Sequence, residues 1–201
     1  MANALPSACL DQLFRTARTH NEWTDRPVEE AIVRELHELL EWGPTSANCC
    51  PARFIWVRSY EGKQKLAPMA TQNNRAKILA APLTVIIGND LDFAGKLPTL
   101  LSFLPPERIA FMQKYLAEPT VSAATAMRNG TLQGAYLIMA ARALGLDCGP
   151  MSGFDHASVD QGFFAGTRIQ SNFICSIGYG KKEALFPRNP RLAFEETSQF
   201  A

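Results

Sequence analysis

The chain of 201 residues is 47% apolar and 19% charged. This composition can form a sizeable core and excludes a disordered, collagen-like or low-complexity protein, and the length predicts one domain over residues 1–201. Twenty Lys and Arg oppose nineteen Asp and Glu, which leaves a formal charge of +1. The molecule therefore has no overall field that would attract nucleic acid or an anionic membrane, and a bound anion needs a local cationic cluster.

The sequence predicts a cytoplasmic protein without a membrane span. Its longest segment free of charged residues, 129–141, has thirteen residues, whereas a spanning helix needs about 20 apolar ones. Pro6, Asp11 and Arg15 interrupt the region where a signal peptide carries its apolar run. The five cysteines are odd in number and include no C-x-x-C pair, so we expect reduced thiols rather than disulfides or zinc ligands.

Two helices are predicted at the start of the chain. Ser7 is a candidate N-cap for the first, and Pro27 opens the second, which Gly43 and Pro44 end. A loop over 44–51 follows.

Short strands are predicted over 54–57, 82–88 and 172–178. The second of these is apolar on both faces, which indicates a covered, central strand. Between them, prolines break the segment 91–118, where we expect short helices or a mobile flap.

A long helix rich in Ala and Gly is predicted over 120–144, with Gly145 as its left-handed cap. The stretch 147–154 has the composition of a turn, a short helix begins near Asp155, and the C-terminal tail is expected to be extended. Helices and strands in this non-alternating order indicate an α+β fold.

Common catalytic and nucleotide-binding motifs are absent. The sequence has no G-x-G-x-x-G, G-x-x-x-x-G-K-[ST], H-E-x-x-H or G-x-S-x-G. His20, His37 and His156 lack ligand-like spacing, so no metal site is predicted. Cys49 and Cys50 are nucleophile candidates if a neighbour lowers a thiol pKa, but small packing residues are the simpler interpretation.

Three polar clusters each follow a predicted element, over 18–21, 44–48 and 149–153. Arginine beside a hydroxyl suits a phosphate group, because guanidinium offers bidentate, charge-assisted hydrogen bonds. Glycine-flanked backbone lets amide N–H groups approach a planar ring. The alternative is that all three are ordinary turns and caps.

Five segments in this order and spacing resemble the FMN-dependent nitroreductase superfamily over nearly the whole chain. They are ARTHNEW (17–23), GPTSANCCPARFIWV (43–57), ALGLDCGPMSGFD (143–155), IGYG (177–180) and PRNPRLAFEE (187–196). ARTHN, GPTSANC, GPMSGFD and PRLAFEE are most similar to the malonic semialdehyde reductase (RutE) subfamily of pyrimidine degradation. The resemblance implies a central antiparallel sheet flanked by helices, in an intertwined homodimer with FMN at its interface.

The activity implied by this resemblance is that of an FMN-dependent NAD(P)H oxidoreductase. NADH or NADPH reduces FMN and leaves, and hydride from flavin N5 then converts malonic semialdehyde and a proton to 3-hydroxypropionate. The alternatives are a broad nitroreductase, an enone reductase, and a flavin-binding or thiol-dependent protein without reductase activity. For the substrate carboxylate, Arg108 within 91–119 is the first candidate among several arginines.

The resemblance also implies roles for single residues. Arg18 and Thr19 match positions near the FMN phosphate and ribityl chain, and Gly153 matches the backbone amide that approaches N5. Asn21 departs from the family, because many relatives have a cation there that stabilises reduced flavin. Asn74 could replace Asn73. The full set of implied FMN-binding residues is Arg18, Thr19, Asn21, Pro44, Thr45, Ser46, Asn48, Asn73, Asn129, Ser152, Gly153, Arg188 and Arg191.

Overall fold

A four-stranded sheet lies at the centre of the computed structural model, which describes residues 3–201. The strands are β1 (Ala52–Val57), β2 (Leu83–Asp90), β3 (Asp147–Met151) and β4 (Ile169–Gly178). Their order is β1-β2-β4-β3, and each neighbouring pair is antiparallel. Strand β2 is buried over all but its last residue, which confirms the prediction of a covered, central strand.

Helices cover both faces of this sheet. They are α1 (Ser7–Leu10), α2 (Glu30–Leu40), α3 (Tyr60–Leu66), α4 (Gln72–Ala80), α5 (Leu97–Leu100), α6 (Pro106–Leu116), α7 (Pro119–Ala143), α8 (His156–Phe163) and α9 (Phe194–Thr197). Val85 packs with α2 and α7 on one face, and its neighbour Ile86 packs with α3, α4 and α8 on the other. This alternation follows from the two-residue period of a strand. The α+β fold with an antiparallel sheet is therefore confirmed.

Several predicted elements are confirmed in position. Helix α7 ends before Gly145, whose φ of 76° is the left-handed conformation expected of a cap. Asp155 caps α8 by accepting hydrogen bonds from the backbone N–H groups of Ala157 at 3.0 Å and Ser158 at 3.4 Å. The segment 91–118 forms short helices, as expected of a proline-broken stretch.

Three sequence predictions were wrong in detail. Ser7 lies inside α1 and makes no cap hydrogen bond, because Pro6 occupies the cap position. Helix α2 begins at Glu30 rather than near Pro27, because Glu29 is still extended. The supposed turn over 147–154 contains strand β3.

Strand β3 was missed because Gly149 and Pro150 are typical turn residues. Pro150 is tolerated because β3 lies at an edge of the sheet. Pairing with β4, a tertiary interaction, decides its conformation.

Candidate functional site

The segment after the N-terminal helix lies along the outer edge of β3. Thr19 forms a parallel bridge with Cys148, and the N–H of His20 donates to the Cys148 carbonyl at 3.0 Å. Farther along, the N–H of Lys181 donates to the carbonyl of Glu22 at 3.0 Å. Arg18, Thr19 and Asn21 therefore sit on a backbone that the sheet edge holds in place.

His20 anchors this segment through its side chain, which is 5% exposed. Its Nε2 lies 3.3 Å from Oδ1 of Asp147, and Oδ2 of the same carboxylate accepts from the N–H of Gly180 at 2.9 Å. The imidazole fills the space that a Cβ at Gly180 would occupy. Asp147 and Gly180 therefore fix the side chain between Thr19 and Asn21.

Four arginines converge on one cleft of about 260 Å³. We call it the arginine cleft; it is lined by Arg18, Arg142, Arg188 and Arg191. Thr19 and Asn21 also line it. The guanidinium of Arg18 donates to the carbonyl of Phe186, and Nη2 of Arg188 donates to the Arg15 and Ala17 carbonyls at 2.8 and 3.1 Å. These bonds tie the C-terminal tail to the N-terminal segment.

The positive charge of the arginine cleft is not neutralised within the described chain. Across residues 3–201, none of its four guanidinium groups forms an ion pair with a carboxylate. Their hydrogen bonds go to backbone carbonyls, which carry no net charge. Several guanidinium groups around one cleft can bind a phosphate through charge-assisted hydrogen bonds.

A second binding element follows β3 at Gly153. Its carbonyl accepts from the Thr71 N–H and from Nδ2 of Asn74, each at 3.0 Å. A Cβ at Gly153 would lie 2.8 Å from Nδ2 of Asn74, so glycine permits this close contact. Within residues 3–201 the Gly153 N–H donates no hydrogen bond, which leaves it available to a ligand. Ser152 beside it is exposed.

Asn73 and Asn74 have different surroundings. Asn74 is half-buried and occupied with the Gly153 carbonyl. Asn73 is exposed and makes no side-chain hydrogen bond within the part of the chain that the structure describes. Asn74 therefore supports the Gly153 turn, and Asn73 is the one free to contact a ligand.

The arginine cleft and the Gly153 turn share one edge of the sheet. Thr19 lies opposite Cys148, and Gly153 follows five positions later. At about 3.3 Å per extended residue, the two are at most roughly 17 Å apart along the edge. An elongated ligand with an anionic end and a planar end can contact both.

The loop over 44–50 is strained and contributes no residue to the lining of the arginine cleft. Ala47, Asn48 and Cys50 have φ of 52°, 48° and 39°, a left-handed conformation that is uncommon outside glycine and is typical of functional segments. Thr45 Oγ1 accepts from the Cys50 N–H at 3.2 Å, and Asn48 Nδ2 donates to the carbonyl of Leu100 at 3.1 Å. The loop thus rests on the 91–118 segment.

Asn129 is buried beneath this loop. Its Oδ1 accepts from the N–H of Ser46 at 2.8 Å, and its Nδ2 donates to the carbonyl of Thr125 at 2.8 Å. Asn129 therefore holds the loop in place, while Pro44, Ser46 and Asn48 are exposed. One chain does not bring these residues to the arginine cleft.

The thiol pair gives little support to a nucleophilic site. Burial raises the pKa of Cys49 from 9.0 to about 11, so its thiol is protonated at neutral pH. Cys50 is half-buried, and its Sγ lies 3.5 Å from Oδ1 of Asn48. Among residues 3–201 no group of three or more His, Cys, Asp or Glu side chains could hold a metal ion, and no described helix is long and apolar enough to cross a membrane.

Sequence reasoning missed two parts of the site. Arg142 joins the arginine cleft from the end of α7, and the only sequence signal for it is a cation in the last helical turn. The pairing of His20 with Asp147 depends on contact between the 18–24 segment and β3. Residues this distant in sequence meet only through tertiary structure.

Comparison with known proteins gives concordant matches. The model of the nitroreductase family matches residues 15–180. A Stenotrophomonas maltophilia protein named "Putative NADH dehydrogenase/NAD(P)H nitroreductase" is 55% identical over 202 residues, covering 100% of both chains. A nitroreductase-type structure from Bacillus subtilis aligns with a TM-score of 0.86 at 20% identity, covering 98% of this chain and 100% of that one. Another, from Exiguobacterium sibiricum in complex with FMN, aligns at 0.85 and 19% identity, covering 100% and 99%.

Proposed function

The chain belongs to the nitroreductase family, and from this premise we propose that it is an FMN-dependent NAD(P)H oxidoreductase. The observation that carries the proposal is the arginine cleft, where four cations without carboxylate partners in residues 3–201 meet beside Thr19 and Asn21. The name of the Stenotrophomonas relative supports NAD(P)H as the reductant, and the FMN in the Exiguobacterium structure supports FMN as the cofactor.

The described residues fit FMN at both ends of the molecule. Arg18, Arg188 and Arg191 would hold the phosphate, and the free N–H of Gly153 would donate to the flavin ring. When bound, FMN supplies hydride transfer between NAD(P)H and the acceptor. Asn21 can hydrogen-bond the ring but adds no positive charge, so the arginines of the cleft carry the charge balance.

The other residues of the proposed site position these groups. His20 and Asp147 keep the 18–21 segment on β3, and Asn74 fixes the Gly153 carbonyl by a hydrogen bond from its Nδ2. Ser152 and Asn73 are exposed beside the Gly153 turn and its supporting helix. Both are available as polar contacts for the flavin.

The proposed assembly is a homodimer in which a second copy completes the FMN site. Helix α7 exposes the apolar side chains of Leu132 and Tyr136, neighbours on one helix face, by 45% and 40%. Exposed apolar surface on one long helix is typical of an interface. Pro44, Thr45, Ser46 and Asn48 would reach the partner's flavin from the strained loop, which Asn129 supports.

The proposed substrate is malonic semialdehyde, which with NAD(P)H and a proton gives 3-hydroxypropionate. The support is the similarity of ARTHN, GPTSANC, GPMSGFD and PRLAFEE to reductases of that substrate. Arg108 is exposed in the first turn of α6, in the segment on which the 44–50 loop rests, and is the candidate for the substrate carboxylate. The relative's name favours the broad nitroreductase as the alternative.

Steady-state kinetics test the activity and the substrate together. FMN-loaded protein is assayed with NADH and with NADPH against malonic semialdehyde, an uncharged aldehyde of similar size and a nitroaromatic. The proposal predicts parallel ping-pong patterns and a kcat/KM for the semialdehyde at least about tenfold above the other acceptors, or about 1.4 kcal/mol of differential transition-state binding. Faster turnover of the nitroaromatic would favour the alternative, and no NAD(P)H oxidation with any acceptor would contradict the reductase itself.

A further inference from the structure

Arg142 is the one cation of the arginine cleft that lies outside the family-like motifs. It is in the last turn of α7, half-buried, and its Nη1 donates to the carbonyl of Leu13 at 3.0 Å. Its Nε is buried and has no hydrogen-bond partner within residues 3–201. Because this nitrogen is enclosed by the protein, a ligand in the cleft can contact Arg142 only through its terminal nitrogens Nη1 and Nη2.

The carboxylates near Arg142 are already engaged. Arg142 also lines an adjoining cleft that includes Asp11 and Asp147. Asp11 pairs with Arg15 at 2.7 Å, and Asp147 accepts from the N–H of Gly180 and lies beside His20. Neither forms an ion pair with Arg142. Its half-buried charge therefore has no counterion in the described chain.

A purely structural role explains only part of this arrangement. A cation in the last turn is favourable beside the negative end of a helix, and the bond to Leu13 pins the first helical segment to α7. Neither effect requires Arg142 to line the same cleft as Arg18, Arg188 and Arg191.

We propose that Arg142 is a direct ligand of the FMN phosphate, a role that rests on the proposed function. A guanidinium has five N–H donors, and the bond to Leu13 uses only one nitrogen. A phosphate in the arginine cleft supplies both the acceptors and the negative charge that Arg142 lacks. Helix α7 thereby contributes to the cofactor site from its C-terminal end.

The test compares FMN with riboflavin, which has the same ring and ribityl chain but no phosphate. Flavin-free full-length protein is titrated with each ligand for the wild type, Arg142→Gln, Arg142→Lys and the control Arg34→Gln. Arg34 is an exposed arginine of α2 paired with Glu30, outside the arginine cleft. Each variant is first checked by thermal unfolding.

The expected result is selective loss. Arg142→Gln lowers FMN affinity by roughly tenfold or more, as expected for one charge-assisted contact, and leaves riboflavin affinity unchanged. Arg142→Lys, which keeps the charge, lies between that variant and the wild type, and Arg34→Gln alters neither affinity. The wild-type preference for FMN also falls more steeply with salt than that of Arg142→Gln.

Two outcomes would overturn the role of Arg142 while the wild type binds FMN. One is unchanged FMN affinity in Arg142→Gln, and the other is an equal loss for FMN and riboflavin, which would place the effect in the packing against Leu13. If Arg142→Gln does not fold, the ratio of the two affinities in Arg142→Lys decides in the same way. A wild-type chain that binds neither flavin would instead refute the proposed function, and this role with it.

Discussion

Replacing Gly180 by alanine tests whether the His20 side chain positions the 18–21 segment, which we propose binds FMN. A Cβ at Gly180 would overlap three atoms of the imidazole. The φ of Gly180 is not positive, so the alanine backbone itself is not strained. The added methyl group therefore displaces the His20 imidazole, and we expect the backbone between Thr19 and Asn21 to shift with it.

The size of the effect follows from the burial of His20, which is 5% exposed and packed between Asp147 and Gly180. An overpacked methyl group in such a site costs about 1–3 kcal/mol of unfolding free energy. The displaced segment also carries Arg18 and Thr19, so FMN affinity should fall. The double variant His20→Ala/Gly180→Ala has room for the methyl group, and the coupling should be about 1 kcal/mol or more.

Urea unfolding and FMN titration of the two single variants and the double variant measure this coupling. Gly95→Ala is the matched control, because a Cβ there meets nothing within 4 Å and its φ is not positive; its stability should change by less than about 0.5 kcal/mol. Two results would show that the His20 side chain does not position the 18–21 segment. Either Gly180→Ala is as stable as the control, or the changes in unfolding free energy of the two single variants add up to that of the double variant.

Three further predictions concern the phosphate, a buried thiol and the assembly. Arg18→Ala and Arg191→Ala should each weaken FMN binding by about 1.5–3 kcal/mol, or roughly 10- to 150-fold in affinity measured by titration. If neither variant changes the affinity, these two arginines are not phosphate ligands. Burial raises the pKa of Cys49 to about 11, so as the pH rises the Cys49 thiol ionises in the unfolded chain before it ionises in the folded one. The free energy of unfolding is therefore constant below about pH 9 and falls by up to roughly 3 kcal/mol as the pH rises towards 11. Urea unfolding at several pH values should show a shallower loss in Cys49→Ala, with some loss remaining because the pKa of buried Cys175 is also raised; identical pH profiles would contradict this. Sedimentation and flavin fluorescence on serial dilution should show FMN leaving as the dimer dissociates, and a monomer with full flavin occupancy would refute the interface site.

Local sequence signals predicted the elements whose stability is mainly local. Helix α7 is rich in alanine and ends at a glycine cap, and β2 is apolar on both faces. Strand β3 was missed because Gly149 and Pro150 favour a turn, whereas its pairing with β4 is a contact between distant parts of the chain. Helices α3 and α4 were not predicted from the sequence.

In the candidate site too, local sequence signals predicted some residues, and contacts between distant parts of the chain determine the others. The three polar clusters were found as loops from their own residues, and the family resemblance linked Arg18 to Arg188 and Arg191, which the fold brings to one cleft. The family resemblance implied a ligand contact for Asn129, and in this chain its side chain accepts a hydrogen bond from the N–H of Ser46. Its predicted contact with FMN stays a prediction. Arg142 could not be found, because only the packing of α7 against the N-terminal segment brings it there.

Identification of the bound cofactor tests the central claim most directly. The protein is purified, its absorption spectrum is recorded, and the small molecule released on denaturation is separated against FMN, FAD and riboflavin standards. A yellow protein that releases FMN, or a colourless one that takes FMN up stoichiometrically and is then reduced by NADH or NADPH, is the predicted result. A colourless protein that does not take up FMN would contradict the claim.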